Sequence, residues 1–315
     1  MREIVNQFQK KFHEKFSANF HSVVPPYDVT ADIISGMDAV LLLDKPEGIT
    51  SFDAVNRSRR VLRERKAGHT GTLDPNASGL MILLFGRYTK FLPYCVKDHK
   101  AYHATFCFGK ETDTGDIWGN VIKESDPKPH TLEELQNAAE TFLGEGTQIP
   151  PMYSALKVNG QKLYELARKG KTVERKPRRV VISRMDVSLI DGIWHLDAEV
   201  SSGTYIRTLI QDLGKAVGED AVMSSLRRTS IEHLSVNEAC TLGELENHAV
   251  FVPPIRVLDP SIPLLETEHR EDVIHGRSIE LDRDEPLILL NEGEEILAAY
   301  EKRTDGRYHC ARGLL

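Results

Sequence analysis

Runs of apolar residues and stretches of alternating polarity predict the first strands of this chain. Val40–Leu43 and Leu80–Phe85 are unbroken apolar runs of the length typical of buried strands. Tyr102, Ala104 and Phe106 alternate with more polar residues, as in a strand with one buried face, and the pattern continues to 108.

Helix signals are clear in the segment that follows the first strand. Ser51 is placed to cap a helix over about 52–65, with Phe52, Val55 and Leu62 near one face and arginines near the other. The remaining predicted elements are a helix that opens with a capping box at Thr131-Leu-Glu-Glu134 and runs to about 143, a basic, loop-like stretch over 145–178, a hairpin of Val180–Ile190 and Ile193–Val200 that turns at Asp191-Gly192, and a helix over about Tyr205–Val217.

The two ends of the chain differ from its centre. In residues 1–38, an N-terminal extension, Phe8, Phe12 and Phe16 recur at helical spacing. Pro253–Pro254 mark a boundary, after which short strand-like runs are separated by Gly and Asp. The predicted organisation is an extension over 1–38, a large domain over 39–252 and a small β domain over 253–315.

Composition narrows the class of protein. The 315 residues are enough for about two domains, and a hydrophobic fraction of 40% is typical of a globular protein rather than of a disordered chain, a collagen or a coiled coil. No apolar run approaches the ~18 residues of a membrane helix, and no signal peptide is evident. The four cysteines form no CxxC pair, which favours a reduced, cytoplasmic protein.

The net charge of −7 for the whole chain argues against a nucleic-acid partner. This total is misleading, because the positive and negative charges lie in separate segments of the sequence. Six basic residues lie between Arg57 and Lys66 against one acid, and ten lie between Lys157 and Arg184 against two. Between residues 259 and 295, twelve acids stand against three arginines. A polyanion could bind the basic stretches while the acidic end faces elsewhere, although solvated helix faces would give the same pattern.

The densest group of chemically useful residues is Gly68-His-Thr-Gly-Thr-Leu-Asp-Pro-Asn-Ala-Ser-Gly79. Its glycines allow a ligand to approach the backbone closely, and Asp74 and His69 are candidate site residues. Another interpretation stays open, because Asp74-Pro75-Asn76 is also good turn chemistry and a single histidine is usually structural. No P-loop, GxGxxG, HExxH or metal-ligand spacing is present, so the pattern indicates neither a cofactor nor a metal.

Seven ordered motifs between about 40 and 231 resemble those of the TruB family, the bacterial tRNA pseudouridine-55 synthases. The segment from Gly68 to Leu80 resembles the family signature, and residues 1–38 match nothing in the family. The other six motifs are Leu43-Asp-Lys-Pro-Glu-Gly-Ile-Thr-Ser51, Lys100-Ala-Tyr102, Thr112-Asp-Thr-Gly-Asp116, Gln148-Ile-Pro-Pro-Met-Tyr-Ser-Ala-Leu-Lys157, Ser202-Gly-Thr-Tyr-Ile-Arg207 and Leu226-Arg-Arg228.

The resemblance implies a fold and a set of site residues. The implied fold is α+β, with a mixed, mainly antiparallel sheet flanked by helices, an RNA-gripping insertion at 148–178, and a small C-terminal β-rich PUA-like domain to which the last 60 residues are loosely similar. Asp74 matches the catalytic aspartate, and Arg207 matches the arginine that pairs with it. The implied substrate-binding residues are Tyr102, which stacks on the target uracil, His69, which takes the space that the flipped base leaves, the polar Asp116, a second active-site tyrosine at Tyr205, Arg207, and the apolar Leu226.

The implied reaction accounts for these residue types. Isomerisation of uridine breaks the N1–C1′ bond, turns the uracil and forms a C5–C1′ bond, which needs no external reductant, nucleotide or metal. A carboxylate acts near C1′ or C2′ as nucleophile or base, and both roles stay open for Asp74. Stacking on Tyr102, worth ~1–3 kcal/mol per base, would hold the freed uracil, and contacts with RNA phosphates would offset the cost of flipping the base.

The expected protein is a cytoplasmic, stand-alone monomer that binds the T-loop and T-stem of tRNA without a cofactor, guide RNA or obligatory protein partner. Three rivals stay open. They are a guide-RNA-dependent relative, against which the basic insertion argues; a non-catalytic RNA-binding or folding protein, against which the complete set of site residues argues; and a glycosidase that pairs Asp74 with Asp113 or Asp116.

Overall fold

The computed structural model describes residues 38–158, 160–247, 249–293 and 295–314. These residues divide into two compact units. Unit 1 comprises the described residues up to 75 together with 79–97 and those from 235 onwards, and unit 2 comprises 76–78 and 98–234. The phenylalanine pattern of the N-terminal extension lies outside the described residues.

The described residues form eighteen strands and five α-helices. The strands are β1 Ala39–Lys45, β2 Ala67–His69, β3 Ser78–Phe85, β4 His99–Phe108, β5 Lys110–Thr112, β6 Val121–Glu124, β7 Gly144–Gln148, β8 Lys157–Val158, β9 Gln161–Lys162, β10 Arg178–Ile190, β11 Ile193–Ser201, β12 Ala221–Ile231, β13 Leu234–Ser235, β14 Cys240–Thr241, β15 Leu264–Glu266, β16 Leu287–Glu292, β17 Glu295–Lys302 and β18 Tyr308–Gly313. The helices are α1 Ser51–Val61, α2 Leu132–Glu140, α3 Leu163–Ala167, α4 Ile206–Ala216 and α5 Arg270–Ile274. Three 3₁₀ helices span Gly86–Tyr94, Val236–Glu238 and Pro254–Val257.

The core of unit 1 is built on β3, which is buried along its whole length after Ser78. β1 pairs with β3 antiparallel, from Ala39 opposite Phe85 to Lys45 opposite Gly79. β2 also pairs antiparallel with β3, and β14 joins β1 in parallel. Both apolar runs that predict buried strands are therefore confirmed.

A four-stranded sheet in the order β15-β16-β17-β18 lies in the C-terminal part of unit 1. Its core contains Tyr300 and Tyr308, whose hydroxyls donate to the backbone oxygens of Arg277 and Glu285 at 2.9 and 2.8 Å. Satisfying these hydroxyls internally allows two polar aromatic residues to fill a small core. The expectation of a β-rich C-terminal part is confirmed, and its likeness to a PUA domain stays a prediction.

Unit 2 contains an antiparallel sheet in the order β12-β4-β11-β10-β7. α2 packs against β10, and α4 packs against β12. Together with the parallel β1–β14 pair of unit 1, this is the α+β, mainly antiparallel architecture that the family resemblance implies. No helix among the described residues has the length and apolar character needed to cross a bilayer.

The β10–β11 hairpin turns at Asp191-Gly192 as predicted. Both turn residues have positive φ angles, 51° and 78°. A two-residue type I′ turn requires this conformation, and Gly or Asp adopts it at the lowest cost. By contrast, the stretch over 145–178 is not only loop, because it contains β7, β8, β9 and α3.

The first helix differs from its prediction at both ends. Its N-cap is Thr50 rather than Ser51, because the Thr50 hydroxyl accepts from the Asp53 amide at 3.0 Å and the Asp53 carboxylate accepts from the Thr50 amide at 3.1 Å. The helix ends at Val61, since Arg63 adopts a φ of 49° that is incompatible with a right-handed helix.

Three further expectations about helices are wrong. Phe52, assigned by its spacing to the apolar face of α1, is 70% exposed. α2 ends at Glu140 rather than near 143. The Thr131 hydroxyl caps the Glu134 amide at 3.1 Å, but the Glu134 carboxylate hydrogen-bonds to His130 Nδ1 at 3.0 Å instead of closing a capping box.

Replacing Thr50 by alanine is expected to lower the free energy of unfolding by about 1 kcal/mol, because the Asp53 amide loses its acceptor at the helix start. Thr50→Ser keeps the hydroxyl and should unfold close to the wild type. Urea unfolding of the three proteins measures the difference. An unchanged midpoint for Thr50→Ala would contradict the capping role.

Candidate active site

The sequence-predicted site residues belong to both units. Asp74 and His69 belong to unit 1, where His69 is half-buried on β2 opposite Leu83. The other predicted site residues belong to unit 2, namely Tyr102, Asp116, Tyr205, Arg207 and Leu226. The pairing of Asp74 with Arg207 stays a prediction.

Asp74 lies between β2 and β3, and its backbone is anchored on each side. On one side, the Ser51 hydroxyl accepts from the Leu73 amide at 2.8 Å and donates to the Leu73 carbonyl at 3.0 Å. On the other side, the Pro75 carbonyl accepts from Lys45 Nζ at 3.1 Å. These contacts preorganise the half-buried Asp74 residue, because the peptides before and after it are both restrained.

Of the two anchoring residues, Ser51 and Lys45, Lys45 is the more deeply buried. The residue is fully buried, and its ammonium also donates to the carbonyls of Pro46 and Ile49 at 2.8 Å each. Three carbonyl acceptors thus match the three protons of the ammonium and replace its water shell. Sequence reasoning quoted Lys45 only inside a motif and assigned Ser51 to a helix cap, so neither residue was expected to hold the Asp74 loop. A lysine that ends an otherwise buried strand is the signal that could have revealed the first of them.

Arg207 lies in the first turn of α4 and is 4% exposed. Its guanidinium donates to the carbonyls of Thr114 and Tyr153, the latter at 2.8 Å, and its Nε lies 3.9 Å from Asp116 Oδ2. The Thr114 hydroxyl donates to the other oxygen of the Asp116 carboxylate at 2.7 Å. The structure therefore brings Arg207 and Asp116 together in a buried, fixed arrangement.

Tyr205 immediately precedes α4 and is held by Gln148, the last residue of β7. The Tyr205 amide donates to Gln148 Oε1 at 2.8 Å, and Gln148 Nε2 donates to the Tyr205 carbonyl at 3.2 Å. This two-bond contact ties the start of the basic insertion to the segment that carries the second site tyrosine.

Tyr102 and Leu226 share one face of the unit 2 sheet with a residue that sequence reasoning missed. Tyr102 on β4 is opposite Arg228 on β12, and Leu226 is opposite Ala104 on the same two strands. Arg228 is almost fully buried and donates a hydrogen bond to the Tyr102 hydroxyl, while burial lowers the pKa of the guanidinium. The sequence carried a signal for the burial of Arg228. The residue stands two positions after Leu226, and residues two apart on a strand lie on the same face.

Lys100 lies two residues before Tyr102 on β4 and therefore on the same face. Its ammonium donates to the Ser202 hydroxyl at 3.0 Å. Burial, reinforced by the charge of Arg228, lowers the pKa of Lys100 to about 8, although the nearby carboxylates of Asp98 and Glu232 oppose the shift. Lys100 therefore changes its charge close to neutral pH.

The four cysteines are buried or half-buried among the described residues. No group of three or more His, Cys, Asp and Glu side chains there could hold a metal ion. The four cysteines form no disulfide. Burial raises the pKa of each thiol, that of Cys95 to about 12, so little thiolate exists near neutral pH.

The wild type is expected to gain stability relative to Lys100→Met as the pH rises from about 8 to 10.5. In this window the native state has released the Lys100 proton while the unfolded chain retains it, so the free energy of unfolding rises with pH. The expected gain is roughly 1–3 kcal/mol. Denaturant unfolding of both proteins at pH 7.5, 9 and 10 measures it, and a difference that does not vary with pH would show that Lys100 titrates normally.

Two family models match adjoining parts of the chain. The model described as "TruB family pseudouridylate synthase (N terminal domain)" matches residues 59–206. The model described as "tRNA pseudouridylate synthase B C-terminal domain" matches residues 207–253. The two matched ranges together span more than half of the chain.

Similar proteins carry the name tRNA pseudouridine synthase B. The one from Endomicrobium trichonymphae is 48% identical over 214 residues, which cover 68% of this chain and 93% of the relative. Those from Azoarcus sp. (strain BH72) and Burkholderia lata are 43% and 40% identical, over 79% and 89% of this chain and 85% and 88% of the relatives.

A solved structure shares the fold over almost the whole chain. A chain in the crystal structure of a Cbf5-Nop10-Gar1 complex superposes with a TM-score of 0.65 at 20% identity, covering 94% of this chain and 92% of that one. At this identity the likeness shows the fold alone. The family models and the curated relatives show that this chain belongs to the TruB family of pseudouridylate synthases.

Proposed function

We propose that this chain isomerises uridine to pseudouridine at position 55, in the T-loop of tRNA. The observation that carries the proposal is the anchoring of Asp74, whose backbone is restrained by Ser51 and Lys45 on its two sides in a member of a pseudouridylate synthase family. The names of relatives that are 40–48% identical support tRNA as the substrate.

The reaction needs a carboxylate at the sugar and a surface that retains the base. Asp74 either attacks C1′ or removes a proton from C2′, and the N1–C1′ bond breaks. The freed uracil turns, and C5 bonds to C1′ as the Asp74–C1′ bond breaks or as C2′ regains its proton. The C5 proton then leaves and N1 takes up a proton, so that product and substrate are isomers. The uracil stays in the site while it turns because it stacks on an aromatic ring, the role assigned to Tyr102.

The contacts within unit 2 suit the roles proposed for its residues. Carbonyl contacts hold the Arg207 guanidinium in one orientation, as the pairing role proposed for it requires. The hydrogen bond from Arg228 fixes the Tyr102 ring, and Leu226 supplies an apolar wall on the same face. We assign Asp116 to orienting Arg207, and Tyr205 and His69 to contacting the substrate.

The basic insertion over 148–178 is the proposed grip on tRNA. In α3 and its flanks, Lys162 and Arg168 lie 5.5 and 5.4 Å from the ring centre of Tyr164, which concentrates positive charge around an aromatic side chain. Such a surface suits phosphates and unstacked bases. The insertion favours a stand-alone enzyme over a guide-RNA-dependent one, and by the same proposal the protein is a cytoplasmic monomer without an obligatory protein partner. By the same proposal, the four-stranded C-terminal sheet is a PUA-like domain.

Incubation of the purified protein with an unmodified tRNA transcript, followed by mapping of pseudouridine, tests the activity directly. Asp74→Asn should abolish product formation and leave tRNA affinity within a few-fold of the wild type, because the carboxylate acts in the chemical step. Asp126→Asn, which alters an exposed loop carboxylate, is the matched control and should be fully active. Turnover by Asp74→Asn would remove the assignment, and tRNA binding without turnover by the wild type would favour the non-catalytic rival.

Neutralising the insertion should weaken tRNA binding and reduce its salt dependence. Each cation that contacts a phosphate contributes ~0.7–0.9 to the log–log slope of affinity against salt, so replacing Arg168, Lys169 and Lys171 with Gln should lower the slope by up to about 2–3. The control replaces Arg270, Arg277 and Arg283 with Gln, since each of these already pairs with a carboxylate in unit 1.

Affinities of the two triple variants and the wild type at several salt concentrations decide the point. An unchanged slope in the insertion variant would contradict the proposed grip. A slope that falls equally in both variants would show that the effect is one of net charge rather than of a contact surface.

A further inference from the structure

The loop that carries Asp116 also carries a large aromatic side chain facing solvent. Trp118 is 46% exposed, and Ile117, Val121 and Ile122 in the same six-residue stretch are about half exposed or more. A concentration of large apolar residues at the surface marks a binding site more often than single exposed residues do.

This loop, residues 112–120, is held by hydrogen bonds between its two ends and by close packing. The Asp113 amide donates to the Asn120 carbonyl at 3.1 Å, and the Asp113 carboxylate accepts from the Asn120 amide and side chain at 2.9 and 3.0 Å. A Cβ on Gly119 would lie 2.6 Å from Asp113 Oδ1, so close packing leaves only glycine room at that position.

Trp118 itself is fixed through the carboxylate that faces Arg207. The Trp118 amide donates to Asp116 Oδ1 at 3.2 Å, and Asp116 Oδ2 is the oxygen 3.9 Å from Arg207 Nε. The preceding residue is held as well, because the Ile117 amide donates to the Met223 carbonyl at 2.9 Å. The indole is thus presented to solvent on a rigid support one step away from the proposed substrate-binding pair.

The surroundings of this loop favour RNA over an apolar partner. The Tyr153 hydroxyl donates to Asp113 at 3.3 Å, and the charge of Arg168 partly offsets the rise in the pKa of Tyr153 that burial and Asp113 cause. Tyr153 belongs to the basic insertion over 148–178, so the Tyr153–Asp113 hydrogen bond joins this loop to the segment proposed to grip tRNA. A flat aromatic ring next to that segment is suited to a nucleobase of the RNA rather than to an aliphatic protein surface.

We propose that Trp118 is a stacking platform for an unpaired nucleobase of the RNA substrate, beside the base that is isomerised. The proposal rests on the proposed function in one respect, that the substrate is RNA. Stacking accepts any base because every base has a π-face, so Trp118 adds affinity and positions the RNA without reading its sequence.

Binding measurements with matched variants test the platform. Trp118→Leu, which keeps an apolar side chain but no ring, should weaken binding of an unmodified tRNA transcript by about 5- to 100-fold, and Trp118→Tyr should restore most of the loss. Leu132→Ala removes a large apolar side chain that is likewise 46% exposed, on α2 and outside this loop, and should bind like the wild type.

Fluorescence supplies a second readout, because the chain contains only two tryptophans, Trp118 and Trp194. In Trp194→Phe, saturating tRNA should quench the emission of Trp118, since a base stacked on indole quenches it. In Trp118→Phe, the emission of the partly buried Trp194 should change little.

The outcomes separate this inference from the proposed function. If the wild type converts uridine while Trp118→Leu binds tRNA equally well and Trp118 emission is not quenched, the platform is overturned and the function stands. If Trp118→Leu instead abolishes a concentration-dependent dimer with no change in RNA affinity, the surface binds a second copy and the platform is again overturned. If the wild type neither binds nor converts tRNA, both proposals fail.

Discussion

The position of Asp74 depends on a buried ammonium group. Removing the Lys45 charge from water would cost several kcal/mol if its protons lacked acceptors, so the chain must bring carbonyls to it. It does so by curling residues 46–49 around the ammonium, with Gly48 at a φ of 79°, and by drawing in the Pro75 carbonyl from 30 positions away. The turn over residues 46–49 and the loop that carries Asp74 are consequently held together, because both supply carbonyls to the same ammonium group.

The same principle orders unit 2. Arg207 is a buried cation whose guanidinium collects carbonyls from Thr114 and Tyr153, which lie 93 and 54 positions earlier in the chain. Arg228 donates in the same way to the hydroxyl of Tyr102. An apolar side chain of equal volume would fill the space but would not specify which loop segment approaches. Buried cations therefore position the loops that a purely hydrophobic core would leave loosely placed.

Those features that depend on local sequence were predictable, and those that depend on distant partners were not. The two buried strands follow from short apolar runs, and the Asp191-Gly192 turn follows from two residue types that readily adopt positive φ angles. A short window of sequence contains each of these signals. Considered in isolation, Ser51 is at least as good a cap as Thr50. Thr50 caps the helix because Ser51 is engaged by Leu73, a partner 22 positions away that no local pattern reveals.

The candidate site shows the same division. From the residues alone, Asp74 was as compatible with a turn as with catalysis, and its assignment came from resemblance to a family. The burial of Arg228 was readable from alternation along β12, but its bond to Tyr102 depends on the register between two strands that are more than 100 residues apart. Exposure of Phe52 and Trp118 could not be inferred from spacing, because it depends on what neighbouring elements leave uncovered.

The Ser51–Leu73 contact has a consequence for how such a protein can vary. One hydroxyl serves both the amide and the carbonyl of Leu73, so it closes the base of a segment that includes all of α1 and its arginines. The contact depends on the Ser51 hydroxyl and on the backbone of Leu73, and not on the exposed side chains of α1. Those exposed side chains can therefore diversify during evolution while the residue after Leu73 keeps its anchor.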